Sequence, residues 1–201
     1  MKLIVARHGE TAWNLQKKFY GTSDVLLDEK GLQQAQDLAQ AITNHRLTFD
    51  VAYCSGLKRT YQTIKPALKK DVPLFQLPGL NEKGFGKWEG MDANEIEAAY
   101  PEEWQKWLDQ PFDYVPPEAE DYYVFRQHVQ ASLANILQTA LAKKQENILL
   151  VAHLGTLRVI EQTLLKSDEV FWDIHFDAGC FSEYTSNDGK NFELIKRNVG
   201  R

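Results

Sequence analysis

Three short stretches, residues 2–6 (KLIVA), 50–54 (DVAYC) and 147–152 (NILLVA), are apolar at almost every position and rich in β-formers. A strand with one wet face alternates apolar and polar residues. An unbroken apolar run of this length therefore reads as a strand buried on both faces. Such a strand needs cover above and below, and the intervening sequence supplies it. In residues 31–42, Leu32, Ala35, Leu38, Ala39 and Ile42 recur at helical spacing. Residues 124–141 do the same with Val129, Leu133, Ile136, Leu137 and Leu141. A third pattern spans 57–68, where Pro66 must end or kink the helix, and a fourth, 156–165, follows the last apolar run directly. Residues 72–77 are a weaker strand candidate. Strands alternating with helices imply an α/β three-layer sandwich, a mainly parallel central sheet with helices on both faces. Residues 181–185 and 192–196 flank Ser186-Asn187-Asp188-Gly189, a hairpin signal, so an antiparallel C-terminal edge is expected.

Residues 84–123 break this alternation. They hold Trp88, Trp104 and Trp107, several acids, and Pro111, Pro116 and Pro117. No linker composition or repeat sets them apart, so the expectation is a single domain over 1–201 with an insertion at about 84–123 covering a site. A chain of 201 residues can bury roughly 70% of its unfolded surface without staples. The net charge of −5 speaks against a nucleic-acid surface. It leaves room for an anionic small substrate, because a local arginine pocket can oppose the global sign. Cys54 and Cys180 are the only cysteines, and no Cys/His spacing suits zinc, so neither a disulfide framework nor a metal is expected. No apolar run approaches the roughly 18 residues of a membrane span, and the N-terminal apolar stretch is too short for a signal peptide. A cytoplasmic location follows as the expectation.

The chemistry-bearing residues cluster at strand ends. Arg7-His8-Gly9 ends the first strand, His153 follows 147–152, Ser55 and Arg59 follow 50–54, and Glu82 follows the fourth candidate. Open α/β sheets bind ligands beyond the carboxyl ends of their strands, so four distant segments aim polar groups at one edge. His45, His128 and His175 share no such position and are read as ordinary histidines. The set suits a phosphate monoester. Phosphoryl transfer needs an in-line nucleophile and cations around the equatorial oxygens. Arg7 and Arg59 offer planar forks for bidentate bonds, and a protonated His153 adds a donor. The same cations oppose protonation of His8 and keep its lone pair available to phosphorus. Glu82 is placed to hand a proton to the leaving alkoxide, with partial burial and a nearby phosphate favouring its acid form.

Arg7-His8-Gly9-Glu10-Thr11 followed by Trp13-Asn14 resembles the RHGETxWN signature of the histidine phosphatase (phosphoglycerate mutase-like) superfamily. The resemblance runs through Tyr20-Gly21, Asp24, Leu27, Gly31 and Gln34-Ala35, then Ser55-Gly56-Leu57-Lys58-Arg59 and Gln62-Thr63. It continues in Leu80-Asn81-Glu82 with Phe85-Gly86-Lys87-Trp88-Glu89-Gly90, and in Val151-Ala152-His153 with Leu157-Arg158. It implies His8 as the phosphorylated nucleophile and Glu82 as proton donor. It implies Arg7, Asn14, Arg59 and His153 as phosphate ligands, with Ser55 behind them and no metal or organic cofactor. Gly9 either lets the backbone approach the phosphate or is a plain loop glycine. Thr11 and Glu10 either serve the site or hold the turn. Arg158 is read as structural. Three positions depart from the family pattern. Leu154 stands where the histidine is usually followed by glycine, Leu26 stands where proline is common, and Pro117-Glu118-Ala119-Glu120-Asp121 stands for P-G-G-E-S.

Three functions compete. A phosphomonoester hydrolase forms a phosphohistidine and passes it to water. A cofactor-dependent phosphoglycerate mutase returns the group to a second hydroxyl and needs extra cations for its acid. A non-catalytic phosphate-binding protein would lack one of the reacting groups. Residues 84–123 contain no arginine and only Lys87 and Lys106, which favours hydrolysis, and the nucleophile, acid and arginines are all present. The FYG…D…L segment resembles α-ribazole phosphatases, and Phe85, Trp88, Trp104, Trp107, Tyr114 and Tyr122 either stack on a ring or pack the insertion. The expected partner is a small phosphate monoester, with α-ribazole 5′-phosphate among the candidates, with no nucleic acid, no membrane, and a homodimer left open.

Overall fold

The computed structural model describes residues 1–200. Its elements run β1 (Lys2–Arg7), α1 (Ala12–Leu15), α2 (Glu29–Asn44), β2 (Val51–Ser55), α3 (Lys58–Ile64), β3 (Leu74–Leu77), α4 (Ala93–Ala99), α5 (Pro101–Asp109), α6 (Tyr122–Ala142), β4 (Asn147–Ala152), α7 (Leu154–Leu165), β5 (Phe181–Thr185) and β6 (Glu193–Val199). The strands form one sheet in the order β3-β2-β4-β1-β5-β6. The pairs β3-β2, β2-β4 and β4-β1 are parallel, and β1-β5 and β5-β6 are antiparallel.

The apolar runs become central strands because each side of them meets a helix layer. Leu3 and Val5 of β1, Val51 and Tyr53 of β2, and Ile148 and Leu150 of β4 join one core with Phe125, Val129 and Leu133 of α6 and Leu157 and Ile160 of α7. The alternate residues Ile4, Ala6, Ala52, Cys54, Leu149 and Val151 join a second core with Leu38 and Ile42 of α2 and Ile64 of α3. The sequence period of 2 is thus split between two packed faces. This is the expected three-layer sandwich with its antiparallel C-terminal edge.

Local signals explain the boundaries. Asp28 caps α2 through Gly31 N at 2.8 Å, and Asp121 caps α6 through Tyr123 N and Val124 N. Pro66 falls in a 3-10 turn, Lys65–Ala67, that ends α3. The C-terminal connection is longer than the turn signal implies. The Asp188 carboxylate accepts from Lys190 N and Asn191 N and organises a loop over 186–192, so β6 starts at Glu193. Within 84–121, Trp88, Ile96 and Trp104 form a small separate core.

All four parallel strands point their carboxyl ends the same way. The chain turns from β1 to β2 across β4, so the ends of β1 and β4 lie side by side with residues 7 and 152 in register. A parallel sheet with this order places its binding crevice at that reversal.

Candidate active site

Arg7, His8, Asn14, Arg59, Glu82 and His153 line one cavity of about 270 Å³. The imidazoles of His8 and His153 are 5.1 Å apart between centroids. His8 leaves β1, His153 leaves β4, Arg59 sits in the first turn of α3 beyond β2, and Glu82 lies past β3. Arg7 and His8 from the end of β1, with Arg59, Glu82 and His153 from beyond three other strands, are therefore brought together as the sequence leads one to expect.

The hydrogen bonds fix the ring states. His8 Nδ1 lies 2.7 Å from the carbonyl oxygen of Gly9. A carbonyl only accepts, so Nδ1 carries the proton and Nε2 keeps a free lone pair. Burial, and then the guanidiniums of Arg59 and Arg7, hold His8 well below its ordinary value, so the neutral ring prevails. The carbonyl that orients it belongs to a held peptide, since Glu10 N, in the same peptide unit, donates to Gln34 Oε1 at 2.7 Å, and Gly9 N in the preceding unit donates to Thr63 Oγ1 at 2.9 Å. Gly9 itself meets α2 on the side where a side chain would sit. A Cβ there would meet Gly31 O at 2.4 Å, so its lack of a side chain lets α2 approach β1.

His153 behaves as the mirror case. Arg59 Nε donates to its Nδ1 at 3.2 Å, so Nε2 carries the proton and donates to Ser55 Oγ at 2.8 Å. Burial, Arg59, His8 and Arg7 push it well below its ordinary value too. The expectation of a protonated His153 therefore gives way, in the protein's own bonding, to a neutral ring whose Nδ1 accepts. Ser55 lies behind the ring, as expected, and its oxygen is also tied to Thr60 Oγ1 at 2.8 Å.

The arginines divide their work. Arg7 gives Nη1 to Phe176 O at 3.2 Å, while its buried Nε has no protein partner. An orphan buried donor on a residue that lines the same cavity as His8 is what an anion would satisfy. Arg59 spends three of its N–H groups on His153, Ser23 O and Gly21 O. Two of the five remain, so its fork clamps the 21–23 loop as well as facing the cavity. The Tyr20 ring lies 4.7 Å from the Arg59 guanidinium, and its hydroxyl bonds Thr11 Oγ1 at 2.7 Å and Asn14 Oδ1 at 2.9 Å. Thr11 and Asn14 also cap α1 reciprocally. Thr11 thus holds the turn, and Asn14 is fixed through its oxygen. Glu10 pairs with Lys30 at 3.0 Å and does not border the cavity.

Glu82 Oε2 accepts from Gly155 N at 2.8 Å, and Oε1 accepts from Lys83 N at 3.1 Å. Gly155 is essential to that contact, because a Cβ on it would lie 2.5 Å from Glu82 Oε1. Leu154, the residue that departs from the family pattern, puts an apolar wall between this cavity and a neighbouring one. That second cavity, about 200 Å³, is lined largely by aromatics, among them Phe85, Trp107, Phe112, Tyr122 and Trp172. Arg158 borders it and donates to Ile174 O and Trp172 O, which makes it a wall element.

Sequence reasoning missed the clasp that builds the rim. Glu89 accepts from the backbone N–H groups of Gly21, Thr22, Ser23 and Phe85, and from the Thr22 and Ser23 hydroxyls. Burial works against its charge, but the Ser23, Thr22 and Phe85 bonds prevail and hold it below the ordinary carboxylate value. Its place in the FGKWEG run was the available signal. His128 is the ordinary histidine expected, and it pairs with Glu120 outside the cavity. Glu120 joins Gly84 N at 3.1 Å to His128 Nε2 at 2.9 Å, so it braces the Glu82 segment and stays outside the phosphate cavity.

A family model for the histidine phosphatase superfamily (branch 1) matches residues 3–199. An adenosylcobalamin/α-ribazole phosphatase of Escherichia coli K12 is 30% identical, covering 93% of this chain and 91% of that protein. A 2,3-bisphosphoglycerate-dependent phosphoglycerate mutase of Lactobacillus acidophilus is 33% identical, covering 98% and 97%. The crystal structure of the α-ribazole phosphatase from Shigella flexneri superposes with a TM-score of 0.90 at 29% identity, covering 99% of this chain and 96% of that one.

Proposed function

The chain belongs to the histidine phosphatase superfamily (branch 1), and on that footing we propose that it hydrolyses a small phosphate monoester through a phosphohistidine at His8. The observation that carries this reading is the pairing of a neutral His8, its Nε2 lone pair free, with the unpartnered buried Nε of Arg7 in one cavity.

The chemistry balances as two displacements. His8 Nε2 attacks phosphorus while the ester P–O bond breaks, and Glu82 gives its proton to the departing alkoxide. Arg7, the two spare N–H groups of Arg59, and Asn14 gather the equatorial oxygens. His153 stays neutral beside them, its Nε2 donating to Ser55 and its Nδ1 accepting from Arg59 Nε, and so holds the Arg59 fork against the phosphoryl group. In the second step Glu82, now a carboxylate, takes a proton from water, whose oxygen attacks phosphorus. The N–P bond breaks, phosphate leaves, and His8 returns to its neutral form.

The aromatic cavity beside Glu82 supports a leaving group that carries a ring. Taken with the relatives, this makes α-ribazole 5′-phosphate the substrate of choice. In this reading residues 84–123 are an insertion over the site of one domain spanning 1–201, since they supply Phe85, Trp107 and Phe112 to that cavity. We place the reaction in the cytoplasm, in keeping with two free thiols at Cys54 and Cys180. Among the described residues no helix is long and apolar enough to cross a membrane.

Identity to a mutase keeps one competitor in view. A mutase needs cations for the acid of its substrate, and the insertion offers only Lys87, paired with Glu118 at 3.1 Å, and the exposed Lys106. The test is to turn over α-ribazole 5′-phosphate and trap acid-labile, alkali-stable phosphate on the protein. Wild type should show both turnover and label, and His8→Ala neither. Turnover in His8→Ala would overturn the covalent route. Isomerisation of 3-phosphoglycerate with 2,3-bisphosphoglycerate, in place of phosphate release, would favour the mutase.

A further inference from the structure

Lys83 follows the proposed acid directly, and its surroundings are unusual for a lysine. The residue is 9% exposed. Its Nζ makes one long hydrogen bond, to Gly84 O at 3.4 Å, and lies 4.8 Å from the centre of the Phe85 ring. Among the described residues no carboxylate comes within 4.0 Å of it. An ammonium has three donors, so at least two are left to find a partner. A buried donor without one is costly, and such a group in a cavity wall points to a ligand. Lys83 lines the aromatic cavity, together with Glu82 and Phe85.

We propose that Lys83 is a specificity residue that donates a hydrogen bond to a neutral oxygen, a sugar hydroxyl, on the leaving group while the aromatic walls hold a ring. This rests on the phosphatase reading above and adds what the leaving group must carry.

The surrounding charge decides between a neutral and an acidic acceptor. Glu120, Glu82, Asp121 and Glu89 all act on Lys83 through space, although burial is the larger influence and lowers its proton affinity. Four carboxyl groups thus surround one ammonium without touching it. Arg158, the other cation on the cavity wall, gives two of its five N–H groups to the Ile174 and Trp172 carbonyls, and one guanidinium does not balance those four carboxyl groups. A leaving group with its own carboxylate would enter an acidic neighbourhood, whereas a hydroxyl accepts from the ammonium without that repulsion. The position also suits reach. Lys83 and Glu82 line the same cavity, so an oxygen that meets Lys83 there belongs to the alcohol whose ester oxygen Glu82 serves.

The experiment compares two primary-alcohol esters, α-ribazole 5′-phosphate and its 2′,3′-dideoxy analogue, so that ring and leaving-group acidity are matched. In wild type the ratio of kcat/KM, hydroxylated over dideoxy, should exceed unity by about 10- to 100-fold, the range of a charge-assisted bond. In Lys83→Met this ratio should collapse toward unity, mainly through KM, and Lys83→Arg should restore most of it. A wild-type ratio near unity overturns the proposal even if the methionine variant fails to fold. So does a ratio that survives in Lys83→Met. If wild type hydrolyses p-nitrophenyl phosphate but neither ribazole ester, the substrate reading and the role of Lys83 fall together. If it hydrolyses both ribazole esters equally, the role of Lys83 falls alone.

Discussion

Acidification should strip stability from this protein through the same two imidazoles that make its site. His8 and His153 are 4% and 1% exposed. Burial and the neighbouring arginines hold both well below the usual 6.5. In the unfolded chain each titrates near that usual value, so below it the unfolded state binds a proton the folded state refuses. Stability rises with pH wherever the unfolded state holds more protons. The contribution is therefore complete above about pH 7 and is lost as the pH falls through 6.5 toward the folded value. The slope is about 1.4 kcal/mol per pH unit for each ring. Between pH 7 and pH 5 this integrates to about 2 kcal/mol per ring, or about 4 kcal/mol for both, a ceiling reached if neither ring is protonated when folded. That is a large share of the roughly 5–15 kcal/mol that holds a domain together. The assay is urea unfolding at pH 7, 6 and 5, followed by tryptophan fluorescence, in wild type and in the His8→Asn/His153→Asn double variant. Wild type should lose up to about 4 kcal/mol more than the variant over this range. Parallel profiles would refute the claim that the fold keeps these rings neutral, and with it the argument for a nucleophilic lone pair.

Three other outcomes are expected. Glu82→Gln should slow hydrolysis of alkyl phosphates by about 10²- to 10⁴-fold and of p-nitrophenyl phosphate far less, because a good leaving group needs little protonation; equal losses in the two assays would reject the acid role. Gly155→Ala would place a Cβ 2.5 Å from Glu82 Oε1 and push the carboxyl aside. Its kcat on alkyl esters should drop by about 10²-fold with little change in the thermal midpoint, and an unchanged kcat would show that this contact does not set the acid. Gly9→Ala would drive a Cβ against backbone, 2.4 Å from Gly31 O, and should cost about 1–3 kcal/mol in urea unfolding; a neutral effect would mean that α2 can retreat at no cost.

The layered fold was legible because burial on two faces leaves a local trace. A run such as NILLVA can only be a strand with cover on both sides, and the split of Ile148 and Leu150 from Leu149 and Val151 between two cores follows from the pleat. Helix α2 was legible for a related reason, since Leu38 and Ile42 sit one turn apart facing the sheet. What had no such trace was structure held by particular side-chain bonds. The loop at 186–192 is set locally by Asp188, and the rim at 21–23 by Glu89 from 66 positions or more away. Any aspartate or glutamate can accept an N–H, so composition does not reveal which one will.

The same division runs through the site, and it bears on how the site works. That His8, His153, Arg7 and Arg59 would meet was legible, because strands of one sheet deliver their ends to one edge. Which atoms are free was not. Arg59 reads in sequence as a fork for phosphate, yet three of its donors are committed to Gly21, Ser23 and His153. Those bonds make the cation rigid before any substrate arrives. They also join the rim loop to the ring it faces, with Glu89 holding that loop from the other side. A donor fixed in this way costs no reorganisation when charge develops on the phosphoryl oxygens. A guanidinium free to bond phosphate with all five N–H groups would bind the ground state well but would have to be ordered at each turnover. Partial commitment of Arg59, which looks like a loss of ligands, is therefore a means of holding the remaining ones in place.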